Sequence, residues 1–177
     1  MRENQRGFTV WFTGLPCSGK TTIAHRVADT LIQDGYAVEV LDGDNVRKDL
    51  CSDLGFSKKD RDENIRRVTF VAKLLTRHGV IVVASFVSPY QTHREYARRI
   101  LGSFVEIYVK CPLEVCIQRD VKGMYKKART GEIKAFTGVD DVYEEPKHPD
   151  LILYSDKETI DESTQNVIKK LKELKYI

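Results

Sequence analysis

The sequence predicts an α/β fold: a doubly wound, mainly parallel five-stranded sheet with helices on both faces. Five strand-like stretches alternate with helical patterns along the 177 residues. One of them, VIVVASF at 80–86, is apolar throughout, as expected for a parallel strand that is covered on both faces. Because ligands bind beyond the carboxyl ends of the strands in such sheets, we expect the site in segments that directly follow strands. These segments are 14–21, 42–47, 85–90 and 110–122.

The first strand and the first helix flank a glycine-rich turn. FTVWF at 8–12 consists largely of β-branched and aromatic residues, which favour a strand. A helix follows, and Gly35 is placed to end it. The apolar residues of this helix recur at helical spacing: Ala24, Val27, Ala28 and Leu31. AVEVLD at 37–42 predicts the second strand, followed by a short helical turn at 45–50.

The clearest helix spans residues 57–79. Asp60 and Glu63 form a capping-box pattern near its start, and Gly79 is expected to end it. Its apolar stripe consists of Ile65, Val68, Val71, Ala72 and Leu75.

The second half of the chain continues the alternation. We expect helices near 90–101 and 113–119, and strands at 104–109 and 151–154. The last helix is predicted to begin at a capping pair, Thr159 and Glu162. Its apolar residues are Val167, Ile168 and Leu171.

Residues 120–149 interrupt this alternation with three glycines and no clean period. The segment holds a cluster of basic residues: Lys122, Lys126, Lys127, Arg129 and Lys134. It is either an ordinary surface excursion or a lid that closes over anionic ligands and excludes water. We expect residues 1–177 to form one domain with a basic lid at 120–149.

Composition narrows the function classes. The net charge of +3 comes without a polybasic block, so no nucleic-acid partner is expected. No apolar run approaches the ~20 residues that span a bilayer, and the opening MRENQRGF is too polar for a signal peptide. We therefore expect a cytoplasmic protein that has no membrane contact. The cysteines lack metal-site spacing and are expected to be free thiols: Cys17, Cys51, Cys111 and Cys116.

Residues 14–21, GLPCSGKT, match the phosphate-binding P-loop pattern between a predicted strand and a predicted helix. The glycines let backbone N–H groups wrap a phosphate, and the helix N-terminus adds its positive dipole end. Lys20 is placed to reach the β- and γ-phosphates of a nucleotide, and the Thr21 hydroxyl is placed to ligate Mg²⁺. The sequence therefore predicts a fold of the P-loop NTPase type.

A pair of carboxylates, Asp42 and Asp44, leaves the second strand beside Arg47. One interpretation is a carboxylate near the metal and another that orients or deprotonates an acceptor hydroxyl. The other is an Asx turn that caps a helix, which Asp and Gly favour in any case.

Further polar and aromatic candidates follow the later strands and open the long helix. Arg61 and Asn64 share a helix face, either for a ligand or for solvent. Ser88 either caps the next helix or presents its hydroxyl to a ligand. Phe56 and Phe136 either stack on a ring of the substrate or pack into the protein body.

Five stretches together resemble the adenylylsulfate kinase family, in order and from about residue 8 to residue 154. They are GLPCSGKTT, LDGDNVR, GFSKKDRDENIRR, FVSPY and RDVKGMYKKARTGEIKAFTGVDD. The resemblance implies transfer of the γ-phosphoryl group of ATP to the 3′-hydroxyl of adenosine 5′-phosphosulfate (APS), with Mg²⁺. It also implies a homodimer and a functional association with ATP sulfurylase, which makes the substrate.

The resemblance also implies roles for individual residues. The catalytic set is Asp44, which orients or deprotonates the 3′-hydroxyl, with Lys20 and a positioning Ser88. The nucleotide-binding set is Gly14, Leu15, Pro16, Cys17, Ser18, Gly19, Lys20, Thr21, Thr22 and Arg119, with Thr21 on the metal. The substrate-binding set is Asp42, Asp44, Arg47, Phe56, Arg61, Asn64, Val87, Ser88, Lys122 and Phe136, with the two aromatics sandwiching the adenine.

Two positions depart from the family pattern. Val142 stands where the family usually has Pro, and Cys17 stands where the family usually has a smaller residue. A thiol at a helix N-terminus is either oxidation-sensitive through a lowered pKa or packed and inert. Two other functions stay open at this stage: a small P-loop kinase for a different hydroxyl, or a catalytically silent nucleotide-binding regulatory domain.

Overall fold

A computed structural model describes residues 5–177. Residues 1–4, where part of the polar opening lies, are outside the described residues. All pairings in the five-stranded sheet are parallel, in the order β2-β3-β1-β4-β5. The strands are β1 (Thr9–Thr13), β2 (Val38–Asp42), β3 (Ile81–Ser85), β4 (Phe104–Lys110) and β5 (Leu151–Tyr154). The predicted α/β fold class is confirmed.

Seven helices connect or follow these strands within the described part of the chain. They are α1 (Lys20–Gln33), α2 (Gly43–Lys48), α3 (Lys58–Arg77), α4 (Gln91–Leu101), α5 (Leu113–Gln118), α6 (Met124–Arg129) and α7 (Ile160–Glu173). The capping box predicted for the last helix is present, with reciprocal bonds between Thr159 and Glu162.

The two faces of the sheet carry two separate apolar clusters. Phe8, Val10 and Phe12 alternate along the chain and pack with α1 and α7 on one face. Trp11, whose side chain is on the opposite face, packs with residues of α3 and α4. β1 lies in the middle of the sheet and is fully buried, so the loop that follows it is held at a rigid point.

The predicted start of α3 is wrong in one respect. Ser57, not Asp60, is the N-cap: its hydroxyl accepts a hydrogen bond from the Asp60 N–H and donates one to the Asp60 carboxylate. Glu63 instead pairs with Arg66 and Arg67. The nearby arginines supply stronger partners for this carboxylate than a backbone N–H does.

The segment 120–149 contains the helix α6, which no apolar pattern in the sequence indicates. Asp120 makes this helix possible, because its carboxylate accepts the N–H groups of Met124, Tyr125 and Lys126. Tyr125, in the first turn of α6, is fully buried. All four cysteines are free thiols, and within residues 5–177 no helix has the length and apolarity needed to cross a bilayer.

Candidate active site

A cleft of about 1040 Å³ opens at the carboxyl ends of β1, β2 and β3. Sixteen of the site residues predicted from the sequence line it. They are Pro16, Cys17, Gly19, Lys20, Thr21, Thr22, Asp44, Arg47, Phe56, Arg61, Asn64, Val87, Ser88, Arg119, Lys122 and Phe136. The structure thus brings together residues that are more than one hundred positions apart in the chain.

The glycine-rich loop from 14 to 19 contains backbone conformations that residues with a side chain rarely adopt. Gly14 has φ +152°, and a Cβ there would lie 2.5 Å from the Val109 carbonyl oxygen of the neighbouring strand. Gly19 has φ +91° immediately before α1. The loop therefore wraps closely around the N-terminus of α1, where phosphate groups bind well.

Lys20 is nearly buried inside this loop. Its Nζ donates hydrogen bonds to the Leu15 carbonyl oxygen at 2.6 Å and to the Ser18 Oγ at 3.4 Å. Burial lowers the pKa of Lys20 to about 8. The ammonium group is held by neutral oxygens only, so an incoming phosphate would be its first anionic partner in the loop.

Thr21 opens α1 beside the end of β3. Its Oγ1 lies 3.4 Å from the Ser85 Oγ, and both side chains line the cleft. Among residues 5–177 no cluster of three or more His, Cys, Asp or Glu side chains is arranged to hold a metal ion.

The carboxylates of Asp42, the last residue of β2, and Asp44, in α2, make different contacts. Asp42 is buried and caps α2: its Oδ1 accepts the N–H groups of Asp44 and Asn45 at 3.0 and 3.1 Å. It does not line the cleft, and its capping contacts are those of the Asx-turn interpretation. Asp44 is exposed in the cleft and forms an ion pair with Lys122 of the 120–149 segment.

Two arginines flank an exposed aromatic ring on the wall formed by α2 and α3. The guanidinium of Arg47 lies 4.4 Å from the Phe56 ring centroid, and that of Arg61 lies 5.9 Å from it. Arg47 is fixed by the carbonyls of Leu54 and Gly55. Desolvation, with a smaller contribution from the charge of Arg61, lowers the pKa of Arg47. Such a wall is suited to an anion that carries a flat ring.

Asn64 and Phe136 complete this side of the cleft. Asn64 is buried, and its Oδ1 has no hydrogen-bond partner among the described residues. Phe136 contacts Tyr125 edge to face at 5.0 Å between ring centroids, and it also lines the cleft. A buried amide oxygen without a hydrogen-bond partner is unfavourable for folding. Such an atom is therefore a candidate for contact with a ligand.

The Ser88 hydroxyl belongs to a buried network. Its Oγ accepts a hydrogen bond from the Trp11 Nε1 at 3.1 Å and donates one to the Thr13 Oγ1 at 3.0 Å. The backbone at Ser88 is left-handed, with φ +38°. Tyr90 is the N-cap of α4, so the helix-capping alternative for Ser88 is wrong.

Cys17 is a packed thiol. It lies against a small apolar cluster that includes Cys111, Cys116 and Tyr125. Burial, as the largest cause, raises the pKa of Cys17 above its usual value. This supports the inert-packing interpretation rather than a reactive thiolate.

Three predicted residues of the loop, Gly14, Leu15 and Ser18, do not line the cleft. Leu15 lines a separate cavity of about 570 Å³. The end of the cleft after β5 was not predicted from the sequence; it is formed by Ser155, Glu158, Thr159, Ile160 and Ser163. The strand-end rule could have found them, because they directly follow the predicted strand at 151–154.

Arg119 connects that missed end to the phosphate loop. Its Nη2 donates to the Ser155 carbonyl oxygen at 2.8 Å, and the Ser155 Oγ donates to the Ser18 carbonyl oxygen at 2.7 Å. Both Arg119 and Ser155 line the cleft. This end of the cleft therefore continues directly from the phosphate loop, as a nucleotide base would require.

Comparisons with known proteins agree over nearly the whole chain. The family described as Adenylylsulphate kinase matches residues 6–154. A relative from Halothermothrix orenii, named adenylyl-sulfate kinase, is 59% identical over 99% of this chain and 95% of its own length. Another with that name, from Microcystis aeruginosa, is 58% identical over 98% of this chain and 96% of its own length.

Solved structures lead to the same family. The Mycobacterium tuberculosis APS kinase in complex with AMPPNP and APS is 47% identical, with a TM-score of 0.92, covering 94% of this chain and 98% of that one. A gluconokinase from Sinorhizobium meliloti, 15% identical with a TM-score of 0.59 over 98% of this chain and 95% of that one, shares the fold alone. The match over 6–154 and the relatives above half identity decide the assignment. The chain belongs to the adenylylsulfate kinase family.

Proposed function

We propose that this chain transfers the γ-phosphoryl group of ATP to the 3′-hydroxyl of APS, giving 3′-phosphoadenosine 5′-phosphosulfate and ADP, a step of sulfate activation. The observation that carries this proposal is the composition of a single cleft. It joins an intact phosphate loop to a wall of two arginines, an unpaired amide and two aromatic rings. The relative solved with AMPPNP and APS supports the same pair of ligands.

The donor half of the cleft would hold ATP. The loop N–H groups and the Lys20 ammonium would bind the phosphates, and Arg119 with the segment after β5 would receive the adenine. The hydroxyls of Thr21 and Ser85 fit Mg²⁺, which takes few protein ligands and completes its shell with water and phosphate oxygens. When bound, Mg²⁺ would neutralise charge on the phosphate oxygens.

The acceptor half would hold APS. Arg47, Arg61 and Asn64 would bind its phosphosulfate and ribose, and Phe56 and Phe136 would stack on its adenine. Asp44 would orient or deprotonate the 3′-hydroxyl. For this, the ion pair between Asp44 and Lys122 has to open, which would free Lys122 to bind an anionic ligand.

The transfer itself needs positioning and charge stabilisation more than a nucleophilic side chain. We therefore infer direct in-line transfer, in which the 3′-oxygen forms its bond to the γ-phosphorus as the bond to the β–γ bridging oxygen breaks. The buried contacts of Ser88 support a positioning role instead of a covalent one. The segment 120–149 would act as the lid that excludes water.

The expected oligomeric state, source of substrate and cellular location of this chain are inferred from its family. We expect a homodimer, the supply of APS by ATP sulfurylase, and activity in the cytoplasm. A 34% identical APS kinase from Thiobacillus denitrificans is hexameric; the match covers 98% of this chain and 30% of that one, with a TM-score of 0.75. A silent regulatory domain is disfavoured, because Lys20, Thr21 and Asp44 all line the cleft.

A coupled ADP-release assay tests the proposal. APS should be turned over, and adenosine, AMP and gluconate should not. Asp44→Ala and Lys20→Ala should each lose about 100-fold or more in kcat/KM while keeping the far-UV spectrum and Tm of the folded protein. No turnover of APS by the wild type would refute the function, and near-normal turnover by Asp44→Ala would refute the role of that carboxylate.

A further inference from the structure

The acidic pair in the stretch KAFTGVDD, Asp140 and Asp141, has no task in the function proposed above. Neither residue lines the cleft. Both carboxylates nevertheless hold the loop of residues 135–141, which carries Phe136. We propose that Asp140 and Asp141 are positioning residues that fix Phe136 in the acceptor half of the cleft. This inference rests on the proposed function, because it gives Phe136 an acceptor to contact.

Asp140, an exposed residue, fixes the backbone of the loop. Its two carboxylate oxygens accept the N–H groups of Ala135 at 2.8 Å and of Phe136 at 2.6 Å. Ala135 has φ +54°, a left-handed conformation that is unfavourable for a residue with a Cβ. A charged acceptor with two short bonds offsets this cost and sets the direction in which the Phe136 side chain leaves the backbone.

Asp141 docks the loop on the acceptor wall. Its Oδ1 accepts a hydrogen bond from the Tyr90 hydroxyl at 3.0 Å, and its Oδ2 lies 3.5 Å from the Arg61 Nη2. The same Arg61 nitrogen donates to the Ala135 carbonyl oxygen at 2.5 Å. The Asp141 and Arg61 side chains are only 18% and 10% exposed, so solvent screens this pair weakly. Arg61 thus holds the Phe136 loop at two points.

The other side of the loop touches the phosphate loop. Phe136 meets Tyr125, whose hydroxyl donates to the Pro16 carbonyl oxygen at 3.0 Å. A Cβ on Gly138 would lie 3.2 Å from the Leu15 Cδ2, so the two loops are in close contact there. Phe136 is therefore fixed between the donor loop and the acceptor wall, and the two aspartates supply its charged attachments.

The test compares Asp140→Asn and Asp141→Asn with Asp29→Asn, which changes the net charge equally at an exposed position of α1. Each of the first two variants should raise the KM for APS by about tenfold, because each removes charge-assisted hydrogen bonds. The KM for ATP should stay within about twofold, and Asp29→Asn should match the wild type. An equal rise in both KM values would indicate general loss of structure and overturn the proposal.

Two further measurements separate positioning from mere stability. Asp140→Asn should add nothing to the loss of kcat/KM for APS that Phe136→Ala causes alone, whereas additive losses would contradict action through Phe136. In the ligand-free protein, Asp140→Asn should also speed hydrogen exchange of the Phe136 amide by about tenfold or more. Unchanged exchange would overturn the proposal. This readout needs no substrate, so a wild type inactive on APS would refute the proposed function while exchange still decides this inference.

Discussion

The first prediction concerns the protons that Lys20 takes up when ATP binds. Its pKa of about 8 in the ligand-free protein comes from burial next to neutral oxygens, and bound phosphates would raise it. ATP binding at pH 9 should therefore take up close to one proton per site, ~0.9, and affinity should weaken by about tenfold per pH unit above pH 8. Calorimetry in buffers of different ionisation enthalpy measures both quantities.

The matched control for Lys20 is Lys172, an exposed lysine near the end of α7. Lys172→Met should keep the proton uptake of the wild type, and Lys20→Met should abolish it. Proton uptake that persists in Lys20→Met would show that another group titrates when ATP binds.

Replacement of Ser88 should lower the free energy of unfolding. Ser88→Ala removes the acceptor of the Trp11 Nε1–H, a buried donor, and should cost about 1–3 kcal/mol of unfolding free energy. Because the proposed role is positioning, kcat should fall by no more than about tenfold. Trp11 is the only tryptophan, so its fluorescence reports the change directly. A loss of about 1000-fold with unchanged Trp11 emission would indicate that the hydroxyl takes part in the chemistry.

Among the elements, α3 matters most because it presents Arg61 and Asn64 from its first two turns. Ser57→Ala removes its N-cap and should cost about 1 kcal/mol, which chemical denaturation measures. Ser52→Ala, at an exposed serine outside any helix, should change stability by less than about 0.5 kcal/mol. Equal stability of Ser57→Ala and the wild type would contradict this assignment of the cap.

The regular elements could be predicted because their signals are local. β5 was predicted with the bounds that the structure has, and Gly35 and Gly79 both follow helix ends with positive φ. α6 could not be predicted from apolar spacing, because it depends on a carboxylate that precedes it, Asp120. The cap of α3 was misassigned, because arginines further along the helix form ion pairs with the Glu63 carboxylate.

The site was predictable to the extent that residues follow strands or match the family pattern. What sequence spacing could not decide is how neighbouring carboxylates divide their tasks: Asp42 turns inward to cap α2 while Asp44 faces Lys122, 78 positions away. The contacts that hold the Phe136 loop could not be predicted either. Asp141 contacts Arg61 and Tyr90, which are distant in the sequence and come together only in the folded protein.

At the scale of the whole molecule, residues spread along the chain from 16 to 163 line the proposed active-site cleft. Ligands should therefore stabilise the fold as a unit. AMPPNP or APS at about 100 times its Kd should add about 2.7 kcal/mol and raise the Tm by roughly 5–10 °C. Sulfate at equal concentration is the control for general salt effects, and an equal Tm shift with sulfate would indicate no specific site.

Identification of the atom that accepts the phosphoryl group is the most direct test of the proposed function. Phosphorus NMR of the reaction of the wild type with ATP and APS should show one new phosphomonoester resonance, coupled to the ribose 3′-proton, with the phosphosulfate signal retained and ADP formed in equal amount. Phosphate on any other hydroxyl, or ADP formed with free phosphate and no phosphorylated APS, would contradict the proposed transfer.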